Sequence, residues 1–278
     1  MITVESPAKV NLILKVLRRR EDGYHDIASL MQRVSLTDEM EFSPIKTGVE
    51  LSCPGSTLPT DERNLAVRAA RVLFAETGYA GGVAITLRKR IPTAAGLGGG
   101  SSNAATTLAV LNNLFQFGFH RERLIQIGAR LGADVPFFLY GRTAWAFGIG
   151  EILEPFEIPS GIWLVLVNPG FEVATKWAYQ SLNLPLTTAP LQYSIPTFSG
   201  VRDLASSLTN DLERVTVARY PVLEELKGFL LRQGALGSLM SGSGPTVFGL
   251  FESEPDATRA EGALRTTYPY AVFKAQTL

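Results

Sequence analysis

One stretch limits what this chain can become: Pro92-Thr93-Ala94-Ala95-Gly96-Leu97-Gly98-Gly99-Gly100-Ser101-Ser102-Asn103. Four glycines and two serines fall in its seven residues from Gly96 to Ser102. Upstream, the apolar alternation from Val83 to Ile91 predicts a strand. Downstream, Ala104, Leu108, Leu111 and Phe115 recur at helical spacing. The glycines therefore lie between a strand and a helix N-terminus. Glycine permits positive φ and lets the backbone approach a ligand closely. Bare N–H groups and the positive end of the helix dipole then favour a phosphate. Ser101 or Ser102 either caps the helix or offers a hydroxyl to a phosphate-bound Mg2+. The plainer reading is a flexible turn, although so many glycines lower stability without a use. No Lys-Ser/Thr pair follows the last glycine, so this is not a Walker A loop, and Gly96 to Ser101 ends in Ser rather than the glycine of a dinucleotide fingerprint.

A length of 278 residues suits about two domains. Basic and acidic residues balance at 26 each, which argues against a nucleic-acid partner. The longest clear apolar run, Ile162 to Val167, is far too short to span a membrane, so no membrane partner is expected. Met1 leads directly into Ile2-Thr3-Val4, a predicted strand, with no signal peptide in view. The single cysteine, Cys53, suits a reducing cytoplasm and reads as structural.

In chain order, Val10, Leu12 and Leu14 alternate with Asn11, Ile13 and Lys15, predicting a strand on which Lys9 and Asn11 share the polar face. A solvated Lys9 on an edge strand fits the spacing equally well. Arg18-Arg19-Arg20 reads as a solvated strand end, and Glu21-Asp22-Gly23 as a turn leading to Tyr24-His25. Residues 34 to 60 read as short strand pieces and turns. A helix is expected to start at Thr60-Asp61-Glu62 and close at Gly78, and a second to run from Arg121 to the stop at Gly132. Asp134, in Gly132-Ala133-Asp134-Val135-Pro136, reads by itself as an N-cap. Two strands, Arg142 to Phe147 and Ile152 to Phe156, precede a composition shift near Pro155 to Gly161. That shift sets the expected domains at 1–156 and 157–278. The second part is read as a strand from Ile162, a turn at Asn168-Pro169-Gly170, a helix from Ala174 to Leu182 and a loop over 183–200. A helical region from Asn210 to Leu231, a Gly/Ser loop from Leu236 to Pro245, a strand from Thr246, a helix from Ala257 and a last strand to Ala275 complete it.

The string from Pro92 through Ala105 resembles the phosphate loop of the GHMP kinases, a family that includes galactokinase, homoserine kinase and mevalonate kinase. Pro7-Ala8-Lys9-Val10-Asn11-Leu12 and Asp22-Gly23-Tyr24-His25 resemble one branch of that family, acting in the non-mevalonate isoprenoid route. The motifs fall in the same order across essentially the whole chain. The resemblance implies a two-domain α+β fold with the active site in the cleft between domains. It implies ATP and Mg2+ as cofactors and a small-molecule alcohol carrying a cytidine diphosphate group as substrate. It implies a monomer or weak homodimer. It assigns the ATP phosphates to residues 92–103, base catalysis to Asp134 and charge stabilisation to Lys9. The nucleobase falls to Tyr24 and Tyr179, with Asn11 and His25 supplying polar contacts; for Tyr179, core packing is an equal alternative. By the same resemblance, the Leu236–Pro245 loop braces the phosphate loop, where a simple hairpin turn would also fit.

Overall fold

Strand β1, Ile2–Arg19, opens the chain, and β2, His25–Ile45, returns beside it after a turn in which Gly23 takes φ 85°. The computed structural model describes residues 1–184 and 193–278. The fold is α+β and divides into two units. One comprises Met1–Ala8, Thr37–Pro92 and Gly98–Arg142; the other comprises Lys9–Leu36, Thr93–Leu97 and Thr143–Leu278. Strands β1 and β2 each contribute a segment to both.

In the first unit, β3 (Gly48–Ser52) pairs in parallel with β4 (Gly82–Arg88), which lies antiparallel to the end of β2. Between β3 and β4 the chain forms α1, Leu65–Thr77. After β4 come α2 (Gly99–Leu114), α3 (Arg121–Ala129) and α4 (Val135–Tyr140), with α2 packed on α1 and α4. Phe42, Leu73, Ile85, Leu108, Leu111 and Phe137 are buried.

The second unit holds β5 (Thr143–Gly148), antiparallel to the start of β2, with β6 (Ile152–Pro155) beyond it. Then follow β7 (Trp163–Asn168), α5 (Thr175–Ser181), α6 (Val201–Ser206) and β8 (Thr209–Asn210). Helices α7 (Glu213–Arg219) and α8 (Val222–Arg232) precede the hairpin of β9 (Gly237–Met240) and β10 (Val247–Phe251). Helix α9 (Glu254–Thr267) and β11 (Ala271–Gln276) end the chain. A four-stranded antiparallel sheet runs β11-β7-β10-β9, with α8 and α9 packed on it. Two-residue β8 adds in parallel to β1 at Ile13–Leu14.

Three expectations are corrected. The pieces expected over 34–60 begin with the end of a 21-residue strand, because β2 is buried almost continuously over its first half and shows no alternation there. The first helix starts at Leu65, not Thr60. Asp61 spends its carboxylate on the Arg63 N–H (3.0 Å), and Asn64 caps the helix by accepting from Ala66 N (3.0 Å). The helical region from 210 breaks into α7 and α8 at Tyr220-Pro221, where proline has no N–H to give and holds Tyr220 at φ −129°, ψ 77°. Of the loop expected over 183–200, residues 185–192 lie outside the described residues.

Candidate active site

The glycine-rich stretch is shared: residues 93–97 belong to the second unit and 98–103 to the first. In the first unit, Gly98 stands at the head of α2 with φ 68°. A glycine there offers no capping side chain, and the first intrahelical bond is Ser102 N to Gly98 O at 2.9 Å. The amides of Gly99, Gly100 and Ser101 thus precede the helical ladder, the arrangement that takes an anion.

The two serines separate here. Ser102 has no exposed surface, and its Oγ is shared with Ser6 Oγ at 2.8 Å. Asn103 is 2% exposed, and its amide donates to Ser6 Oγ and Asp38 Oδ2, each at 3.0 Å. Both side chains face inward, so Ser101 is the hydroxyl this turn presents. A Cβ built on Gly132 would lie 3.9 Å from Ser101 Oγ, which puts the 132–134 segment beside the head of α2. Asp134 occupies the N-cap position of α4, yet its side chain makes no capping hydrogen bond. The plain N-cap reading therefore does not explain this carboxylate.

In the second unit, Lys9 and Asn11 are 3% and 4% exposed on a strand flanked by β2 and β8, so Lys9 is not a solvated edge residue. Lys9 Nζ donates to Asn11 Oδ1 at 2.5 Å. Asn11 Nδ2 donates to Ser29 Oγ at 2.8 Å, and Ser29 Oγ in turn to Ile13 O at 2.8 Å. Burying an ammonium is costly without a partner, and Asn11, itself held by Ser29, gives it a fixed oxygen. The backbone N–H of Lys9 donates to Leu97 O at 2.9 Å, tying this strand to the glycine stretch.

The loop between β9 and β10 closes on the same stretch. Ser241 Oγ donates to Gly96 O at 2.9 Å and accepts from Asn11 N at 3.3 Å. The hairpin reading is thus correct for the strands, and the turn itself touches the glycine stretch. Asn210 fixes this turn by donating to Met240 O and Gly242 O, each at 2.7 Å. Ser243 Oγ shares a 3.0 Å hydrogen bond with Thr175 Oγ1 at the start of α5, the helix that carries Tyr179.

His25 and Tyr179 meet with ring centroids 5.3 Å apart and planes tilted by 31°. Tyr24, in the preceding turn, is 60% exposed. Burial lowers the pKa of His25, and the charge of Arg19 pushes it the same way. The basic run before the turn is less free than the sequence suggests: Arg18 Nε and Arg20 Nη1 both bond the buried Asp26, at 2.5 and 3.3 Å.

Sequence reasoning missed Ser6, Ser29, Asp38 and Lys89, all of which hold predicted site residues in place. Lys89, three residues before the glycine stretch in a basic run, carried the only usable signal. The others are single polar residues on strands, with no motif to mark them.

For a divalent cation, no cluster of three or more His, Cys, Asp or Glu occurs among the described residues. Mg2+ held through substrate phosphates needs only one or two protein oxygens. Ser101 and Asp134, in the same unit, are oxygen donors of that kind.

The family model of the GHMP kinases N terminal domain matches residues 64–142, and that of the GHMP kinases C terminal matches 196–269. A protein of Syntrophus aciditrophicus named 4-diphosphocytidyl-2-C-methyl-D-erythritol kinase is 55% identical over 98% of each chain. One of the same name from Geobacter metallireducens is 48% identical over 100% of this chain and 99% of its own. A crystal structure of 4-(cytidine 5'-diphospho)-2C-methyl-D-erythritol kinase superposes with a TM-score of 0.84, at 37% identity and 99% coverage of both chains.

Proposed function

We propose a reaction for this chain on the premise that it belongs to the GHMP kinase family and, within it, to the 4-diphosphocytidyl-2-C-methyl-D-erythritol kinases. It transfers the γ-phosphoryl group of ATP to the C2 hydroxyl of 4-diphosphocytidyl-2-C-methyl-D-erythritol. The observation that carries this reading is the buried Lys9–Asn11 couple, tied through the Lys9 N–H to Leu97 of the glycine stretch. A desolvated ammonium on a strand tied to the glycine stretch suits the charge that develops in phosphoryl transfer, where positioning and neutralisation supply most of the rate.

The backbone amides from Gly96 to Ser101 cradle the ATP phosphates. Asp134 accepts the proton of the C2 hydroxyl as its oxygen attacks the γ-phosphorus. Lys9 stabilises the negative charge on the transferring group, and Asn11 keeps the ammonium oriented. Ser101 is the hydroxyl that would help hold a Mg2+ ion accompanying the triphosphate, and such an ion would supply further charge neutralisation. Tyr24 and Tyr179 grip the cytosine ring, and His25 gives it a polar contact. The enzyme works in the cytoplasm, in the non-mevalonate isoprenoid route.

A coupled assay of ADP release tests this reading across a panel of alcohols. Turnover should require the cytidine diphosphate group. Equal or better turnover of homoserine or mevalonate would overturn it, and no turnover of any alcohol would point to a silent binding module.

A further inference from the structure

Beneath the glycine stretch lies a carboxylate to which the reaction assigns no part. Asp38, on β2, has no exposed surface. Its Oδ1 accepts the N–H of Arg90 at 2.8 Å and of Ile91 at 2.9 Å. Its Oδ2 accepts Asn103 Nδ2 at 3.0 Å and the Lys89 ammonium. Arg90 and Ile91 immediately precede the stretch, and Asn103 is its last residue. One buried group therefore fastens the chain on both sides of the loop. Its four acceptor positions are all filled from within the protein.

The neighbours extend the clamp. Lys89 Nζ also lies 3.5 Å from Asn103 Oδ1. It passes so close to the head of α2 that a Cβ on Gly99 would stand 3.1 Å from it. Ser6 Oγ joins Asn103 to Ser102 across the first turn of the same helix. All of these residues belong to one unit.

We propose that Asp38 is a positioning residue for ATP: by holding residues 90–91 and 103 at a fixed separation, it sets the geometry of the loop amides and hence the affinity for the triphosphate. This rests on the loop being the phosphate site. In Asp38→Asn, one acceptor oxygen becomes an NH2 group facing a donor, so one end of the loop is released while side-chain volume is kept. Small displacements of a positioned binding group are costly, and ATP affinity should fall by between about tenfold and a hundredfold.

The experiment is calorimetric titration of ATP into wild type, Asp38→Asn and a stability control, Val67→Ala, which hollows the buried face of α1. The KM for the alcohol is measured alongside. The expected result is a selective loss of ATP affinity in Asp38→Asn, with the alcohol KM within about twofold and ATP affinity intact in Val67→Ala. Unchanged ATP affinity in a folded Asp38→Asn, or an equal loss in Val67→Ala, overturns the proposal. If the wild type itself fails to bind ATP, the phosphate-loop reading fails instead. Should Asp38→Asn not fold, Asn103→Ala releases only the far end and should still weaken ATP by at least about threefold; no change there overturns the proposal as well.

Discussion

The hydroxyl of Ser241 donates to the carbonyl of Gly96 across 145 residues of sequence, at 2.9 Å. A backbone that close leaves no room for a side chain: a Cβ on Gly96 would lie 2.0 Å from Ser241 O, and its φ of 76° is one that L residues avoid. Gly96→Ala should displace either the loop or the turn, weakening ATP binding by about tenfold or more. Gly100 is the contrast. A Cβ there meets only Leu65 Cδ1 at 3.7 Å. Gly100→Ala should fold at least as well as wild type, with up to about 1 kcal/mol gained from helix propensity. Thermal melts of the pair distinguish the two glycines.

Asp134 and Lys9 separate chemistry from binding. Asp134→Asn should leave ATP affinity near normal and cut kcat by about 10²–10⁴, the range for loss of a general base. Near-normal turnover would remove Asp134 from that role. Lys9→Ala should also reduce kcat more than it raises the KM for ATP. It also strips a partner from the buried Asn11 Oδ1, a cost of about 1–3 kcal/mol to stability. Equal losses in kcat and in ATP affinity would make Lys9 a binding residue only.

Tyr179 packs near His25, and aromatic stacking on a base is worth about 1–3 kcal/mol, or roughly fivefold to over a hundredfold in affinity. Tyr179→Leu should raise the KM for the cytidine-bearing alcohol by an amount in that range. The KM for ATP should stay within about twofold. An unchanged alcohol KM would leave the ring as core packing alone.

Burial and Arg19 both lower the pKa of His25 from 6.5, so the folded protein takes up its proton at a lower pH than the unfolded chain does. Below about pH 6.5 the unfolded state then binds more protons, and the His25 contribution to stability declines as pH falls toward the folded pKa. The same shift keeps the imidazole neutral through the physiological range. The alcohol KM should be flat between about pH 8 and pH 6.5 and rise only below that, and His25→Gln should remove the rise. A wild-type KM already climbing between pH 8 and pH 7 would contradict this.

What the sequence showed followed from local rules. The Gly96–Ser102 cluster announced a strand-to-helix turn because glycine density and helical spacing are local signals, and β4 and α2 flank it as expected. Gly78 ended α1 in the left-handed region for the same reason. β2 stayed hidden because a strand covered on both faces has no alternation to read. Two-residue β8 exists only through its partner β1. The fates of Ser101 and Ser102 could not be told apart from spacing, since only the position of Ser6, some hundred residues earlier, decides which hydroxyl is spent. Asp38 was invisible for a similar reason: its bonds run 51 to 65 residues along the chain.

Asn210 shows how much of the site rests on residues remote from the chemistry. It is 7% exposed, donates to Met240 O and Gly242 O, and accepts from Leu212 N at 3.0 Å. Its own backbone lies in register with Leu14 of β1. Asn210→Ala would leave two buried carbonyls and one N–H without partners. At about 1 kcal/mol net per hydrogen bond, the loss should be about 2–4 kcal/mol. For a chain of this size that corresponds to a fall in melting temperature of roughly 5–15 °C. Because the released turn also holds Gly96 through Ser241, the folded fraction of Asn210→Ala should bind ATP more weakly than wild type, at temperatures well below its melt. Calorimetric melting and ATP titration on the same sample check both parts. A large loss of stability with unaltered ATP affinity would show that the turn keeps its hold on Gly96 without Asn210.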